Sequence, residues 1–171
     1  MRVLLSLGGN VGDRMARLRE AVAMLARHKG IRLTAVSSCY ETEPIGIVGQ
    51  PAFLNMAVEI ETALEPLELL NTVKEMERAI GREPAMRWGP RVIDIDIILR
   101  GGCVMESCLI TIPHPSFRQR AFVLTPLAEI APDAVDPETG KTVAALAASP
   151  EAAGAVAFYA PASAFHDGLN I

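Results

Sequence analysis

The chain has 171 residues, half of them apolar and about a fifth charged, with a formal net charge of −4 and a sequence pI near 5.4. This is the composition of one globular domain, and its acidic balance excludes a general binder of nucleic acid or anionic membrane, whose surface needs excess Lys and Arg. Cys39, Cys103 and Cys108 are odd in number and form no CxxC pair, so neither a disulfide framework nor a zinc site is indicated, and reduced thiols in a cytoplasmic setting are expected.

The opening MRVLLSLGGN has too short an apolar run for a secretory signal, and no window nears the ~20 apolar residues of a membrane span. Arg2 to Leu7 reads as a short buried strand ending at Gly8-Gly9-Asn10, a tight strand-to-helix turn. Asp13 is placed to cap a helix in which Leu18, Ala21, Val22 and Leu25 recur at helical spacing, and Gly30 stops it. Ile31 to Glu41 reads as one strand, with Ile31, Leu33 and Ala35 alternating with polar neighbours. Residues 42 to 52 hold two Pro and two Gly and form an irregular loop. Phe53 to Thr62 resumes as a strand. Pro66 falls where a first helical turn tolerates it, and Leu69, Val73, Met76 and Ile80 give the second helix its apolar stripe. Val92 to Leu99 is a further strand.

The order β-α-β-β-α-β, with both helices on one face of an antiparallel-rich sheet, predicts an α+β fold with a ferredoxin-like core. A C-terminal extension adds a short strand near Leu109 to Ile112, the loop PHPSFRQR and a brief helix around Pro126 to Ile130. One domain is expected over residues 1–143. From Ala144 the composition shifts to Ala, Ser, Pro and Gly without an amphipathic repeat, so 144–171 is expected to be a weakly ordered tail.

The strongest chemical signal is Ile93-Asp94-Ile95-Asp96-Ile97. Alternation along a strand projects Asp94 and Asp96 together and buries the isoleucines behind them. Their backbones are about 6.5–7 Å apart, a spacing that lets both carboxylates lean onto hard cations such as Mg²⁺. Two incidental aspartates on a solvated strand are the competing reading, although Asp is disfavoured in strands and like charges on one face repel. The metal reading needs company. Arg78, Arg82, Arg87 and Arg91 fall within fourteen residues that contain one acid, Glu83. Arginine forks bind phosphate oxygens in pairs, so Arg82, Arg87 and Arg91 beside two carboxylates make the charge pattern of a polyphosphate–metal site; Arg78 reads as a solvated helix edge. His114, pinned between prolines and followed by Arg118 and Arg120, adds a second phosphate-capable group. Phe53 and Phe122 stand at element ends where two rings can sandwich a flat heterocycle, and Asn55 offers an amide that both donates and accepts.

These segments resemble one family. LGGNVGDR, SSCYETEPIG, QPAFLNMAV, RWGPRVIDIDII and IPHPSFRQRAFVLTPLAEIAPD look like the hydroxymethyldihydropterin pyrophosphokinases over about residues 1 to 140. The resemblance implies transfer of pyrophosphate from ATP to 6-hydroxymethyl-7,8-dihydropterin in folate biosynthesis, with AMP released. It implies that Asp94 and Asp96 bind two Mg²⁺ ions and that Arg82, Arg87, Arg91 and His114 contact ATP phosphates. Trp88 would help close the site, Arg120 would stand close to the reacting groups, and Ile97 and Thr111 would line the adenosine pocket. Phe53 and Phe122 would stack on the pterin, Asn55 would bond its edge, and the chain around Thr42, Pro44 and Ile45 would complete that pocket. A monomer or weak dimer acting on small molecules is implied, with no nucleic-acid or membrane partner. The chain departs from the family pattern at Pro84 and Ala85, where some relatives carry basic residues, and at Lys74, where some carry an amide. The alternatives are a degenerate paralogue that binds without turnover and a non-catalytic ligand-binding module on the same fold.

Overall fold

Strand β1 (Arg2–Gly9) alternates its side chains between two different environments. Val3, Leu5 and Leu7 enter a core shared with α1 (Arg14–Arg27) and α2 (Pro66–Ile80), which contribute Leu18, Val22, Leu25, Leu69, Val73 and Ile80. In the computed structural model, which describes residues 1–44, 49–83 and 89–166, β1 lies between β4 (Phe53–Thr62) and β5 (Asp94–Arg100), antiparallel to both. The Asp13 carboxylate accepts the Ala16 N–H and starts α1. Glu65 and Glu68 form a capping box around Pro66, and Gly81, at φ 106°, closes α2.

The single strand expected over Ile31 to Glu41 is two. β2 (Ile31–Val36) pairs with the far half of β4 and β3 (Cys39–Thr42) with its near half. Between them Ser37 takes over the pairing: its N–H donates to the Ala57 carbonyl at 2.9 Å, and its hydroxyl accepts the Ala57 N–H at 2.8 Å. Glu129 holds the Ser38 N–H and hydroxyl, so side-chain bonds replace the ladder there. The order β5-β1-β4, followed by β2 and β3 along one edge, with both helices on one face, is the ferredoxin-like core.

On the opposite face α3 (Ala121–Ile130) and α4 (Val143–Ala147) pack Leu124, Leu127 and Val143 against Leu4, Ala57, Ile98 and Leu99. A bulge in the β1–β5 register turns both Ile98 and Leu99 into this second core. Helix α3 starts before the expected Pro126, because Ala121, Val123 and Leu124 are already buried. The strands β6 (Met105–Glu106) and β7 (Thr111–Ile112) form a small hairpin, and β7 packs beside β5.

The weakly ordered tail expected from residue 144 is corrected over its described part. Strand β8 (Ala157–Ala160) adds to the sheet by pairing antiparallel with β3, and Phe165, 3% exposed, enters the helix-side core. Composition missed this because pairing with an open edge uses backbone groups and needs no amphipathic repeat. Among the described residues no helix is long and apolar enough to cross a membrane.

Candidate active site

Helices α3 and α4 leave part of their sheet face open, and there lies a cavity of about 440 Å³. Its floor is set by strand register. One row across the sheet runs Asp94, Gly8, Asn55, Tyr40, and the next pairs Asp96 with Ser6. Gly8 is a glycine for a steric reason: a Cβ there would stand 2.6 Å from Asn55 Oδ1. At Gly9 a Cβ would stand 2.4 Å from the Val92 carbonyl oxygen, so its absence lets the chain carrying Arg91 cross the end of β1.

Asp94 is surrounded by cations. Arg82 Nη1 reaches its Oδ1 at 2.5 Å, Arg91 pairs with its Oδ2, and Lys74 Nζ stands 3.7 Å away. Burial pushes the Asp94 carboxyl up, but Arg91, Arg82 and Lys74 outweigh it and hold the group below the usual carboxylate range. Asp96 behaves oppositely: burial and then the charge of Asp94 raise it, against weaker help from Lys74, His114 and Arg91. A buried carboxylate disfavoured by its neighbour's charge suits a bound cation, which removes that repulsion. The two carboxylates are the residues here that could hold a hard cation sharing its other ligands with water and phosphate oxygens.

Behind this pair stands Glu77, 1% exposed. It accepts from Lys74 Nζ at 2.7 Å, from Arg82 Nη1 at 2.5 Å and from the Ile95 N–H at 2.6 Å. The facing wall carries His114, Arg120 and Phe122. His114 Nδ1 accepts the Ser116 N–H at 3.2 Å, which leaves the ring proton to Nε2 in the neutral form. Burial lowers the His114 pKa, Asp96 opposes that, and Arg120 adds to it. Burial also lowers Arg120, against the pull of Asp96 and Asp94. The other end of the cavity is apolar and amide-bearing. Phe53 and Phe122 line it, and Asn55, 4% exposed, donates from Nδ2 to Thr42 Oγ1 at 2.7 Å.

The family model described as 7,8-dihydro-6-hydroxymethylpterin-pyrophosphokinase matches residues 4–132. The chain belongs to this family. It is 49% identical over 126 residues to the 2-amino-4-hydroxy-6-hydroxymethyldihydropteridine pyrophosphokinase of Bacillus subtilis, covering 74% of this chain and 75% of that one. It is also 49% identical over 134 residues to the enzyme of that name from Methylorubrum extorquens, covering 78% and 85%. A crystal structure of Plasmodium falciparum HPPK-DHPS shares the fold, with a TM-score of 0.65 at 16% identity over 85% of this chain; the chain spans 42% of that larger one.

The cavity gathers most of the residues singled out in the sequence: Asp94, Asp96, Arg91, His114, Arg120, Thr42, Phe53, Asn55 and Phe122 line it, and Arg82 adjoins it through Asp94. Pro44 is half-buried next to the lining residues Thr42 and Glu43. Ile45, Arg87 and Trp88 lie outside the described residues. Ile97 is not brought to the cavity: it points to the helix-side core, because alternation along β5 turns it away from Asp96. Thr111 lies on β7 and does not line the cavity either. Arg118 is corrected as a phosphate-capable group, since it does not line the cavity and is instead held by the buried Asp136 at 2.7 Å and by Glu138 at 2.5 Å.

Two positioning residues escaped the sequence reading. Asn10, 1% exposed, accepts the Arg91 N–H at 2.8 Å and donates to the Pro51 carbonyl at 3.1 Å, which ties both flanking loops to the end of β1. Glu77 had a readable signal: an acid four residues after Val73, on the buried face of α2.

Proposed function

We propose that this cavity is where the chain transfers pyrophosphate from ATP to 6-hydroxymethyl-7,8-dihydropterin, in a reaction that depends on two Mg²⁺ ions. The observation that carries the reading is the row Asp94–Gly8–Asn55: a carboxylate–arginine cluster and an amide–aromatic pocket stand side by side on one open sheet face. Phosphate chemistry at one end and a flat, hydrogen-bonding heterocycle at the other are what this transfer brings together.

Asp94 and Asp96 would hold the ions, which supply charge neutralisation and alignment of the ATP phosphates. Arg82 and Arg91 exchange their bonds to Asp94 for phosphate oxygens, and His114 donates from Nε2 to the same group. Arg120 stands between the phosphates and the pterin, where its charge offsets that developing on the transferred group. Phe53 and Phe122 sandwich the pterin ring, while Asn55 and main-chain groups near Thr42 and Pro44 read its edge. The pterin hydroxymethyl oxygen then attacks the β-phosphorus in line: its O–P bond forms, its O–H proton passes to water, and the bond from the β-phosphorus to the oxygen shared with the α-phosphate breaks to release AMP. Alignment and charge neutralisation supply most of the rate, so no strong general base is required. Cytoplasmic residence and a monomeric or weakly dimeric state belong to the same reading.

The test is incubation of the purified chain with ATP, Mg²⁺ and the pterin alcohol, with separation of nucleotide products. Pterin-dependent AMP without ADP is expected, and it disappears when EDTA removes the metal. Binding of both ligands without AMP would mean a degenerate paralogue and overturn the proposal.

A further inference from the structure

Residues 149–166 lie beyond the family match, which ends at residue 132, yet they touch two walls of the cavity. Ala153 forms an isolated parallel bridge with Arg120. Its N–H donates to the Gln119 carbonyl at 3.1 Å, and its carbonyl accepts the Ala121 N–H at 3.1 Å. One residue thus bonds the peptide on each side of Arg120. Arg120 itself is extended, at φ −111° and ψ 99°, between a short 3₁₀ turn and the first turn of α3. At that junction the Arg120 N–H donates to the Phe117 carbonyl at 3.2 Å and its carbonyl accepts the Val123 and Leu124 N–H groups at 3.0 Å, so the two Ala153 bonds add a long-range tie on the flanking peptides.

The chain then turns at Gly154, whose φ of 113° lies in the left-handed region that favours glycine. It continues into β8, where Phe158 pairs with Tyr40 and Ala157 with Glu41 on β3, the strand whose Thr42 holds Asn55. Tyr159 lies against the Arg14 guanidinium, 5.7 Å from the ring centre, and Arg14 donates to the Ala52 carbonyl, one residue before Phe53. The segment therefore straps the Arg120–Phe122 wall to the Thr42–Phe53 wall from outside the cavity.

We propose that Ala153 is a positioning residue for the transfer: its two backbone bonds fix the peptides flanking Arg120 and so fix where that guanidinium enters the cavity. The proposal rests on the reading that Arg120 acts on the transferred group. Ala153→Pro removes the N–H donor, whereas Ala153→Ser keeps both bonds. Gly154→Val strains the turn without a steric clash, since nothing lies within 4 Å of a Cβ built there.

The expected result is a fall in kcat of about tenfold for Ala153→Pro and Gly154→Val, with nucleotide Kd changed by less than about twofold. Ala153→Ser restores kcat, and hydrogen exchange at the Ala121 amide quickens only in the two disruptive variants. A merely structural strap would lower the melting temperature and leave kcat alone at temperatures well below it. If Ala153→Pro fails to fold, Gly154→Val carries the test. Loss of Ala121 protection with parental kcat would overturn the proposal, and so would unchanged protection in both variants. Arg120→Ala is the control: if it retains parental turnover, the reading of Arg120 falls and the proposal with it. If only Arg120→Ala is impaired, the strap alone is wrong.

Discussion

Gly8→Ala tests how the floor of the cavity works. The new Cβ would stand 2.6 Å from Asn55 Oδ1, below the 3.0 Å that real Cβ atoms essentially never breach. Its other close neighbours are the Asn55 Cγ at 3.6 Å and the Leu54 carbonyl oxygen at 3.5 Å, so Asn55 takes the whole insult and must swing away. That breaks the 2.7 Å bond from its buried amide to Thr42 Oγ1. A neutral hydrogen bond is worth about 1 kcal/mol, and overpacking by one methyl adds about 1 kcal/mol, so stability falls by about 2 kcal/mol. A displaced amide also loses its bond to the pterin edge, which weakens pterin binding about tenfold. The Asp94 side of Gly8 meets no clash, so nucleotide affinity stays within about twofold. The assay is calorimetric titration of each ligand into the parent, Gly8→Ala, Asn55→Ala and the double variant. Because Asn55→Ala removes the atom that is struck, the double variant should bind pterin no worse than Asn55→Ala alone. Additive losses would refute the reasoning.

Asp96→Asn removes a charge that burial and Asp94 both disfavour. Turnover should fall by at least about a thousandfold while the melting temperature holds or rises; retained AMP production would sink the metal assignment. Glu77→Ala strips an acceptor from Lys74, Arg82 and the Ile95 N–H, and should cost about 3 kcal/mol in urea unfolding, with weaker ATP binding. An unchanged midpoint would mean that Lys74 and Arg82 do not depend on it. At Asp136, burial raises the carboxyl, but bonds from Arg118, Thr139 and the Glu138 N–H outweigh it and leave its pKa lowered. A depressed folded pKa contributes stability above the unfolded value, about 3.9, and that contribution is lost as pH falls through the folded pKa. Asp136→Asn should therefore flatten the acid limb of the stability profile, and an unaltered limb would refute the pairing.

The core was legible because it is periodic. Leu18, Ala21, Val22 and Leu25 along α1, and Leu69, Val73, Met76 and Ile80 along α2, give away their buried faces by spacing alone. Asp94 and Asp96 were legible for the same reason, since strand alternation decides that they share a face with neither isoleucine beside them. The family motifs extended this to His114, Arg120 and Phe122. Periodicity failed where bonding is not periodic. The Ser37–Ser38 break replaces ladder bonds with hydroxyl and Glu129 bonds, and strands β2 and β3 look like one run until Glu129 arrives from ninety-odd residues away.

By itself the sequence determined the α+β core, the family, and the acidic pair with Arg82 and Arg91 near it, because each is written in local spacing or in a contiguous motif. Only the tertiary structure decided that Arg118 is taken by the buried Asp136 while Arg120 lines the cavity, that Glu77 anchors Lys74 and Arg82, and that the tail joins the sheet at β3. Those outcomes depend on which backbone edges and charges meet across the fold. Such meetings are set by the packing of whole elements, which no local stretch of residues encodes.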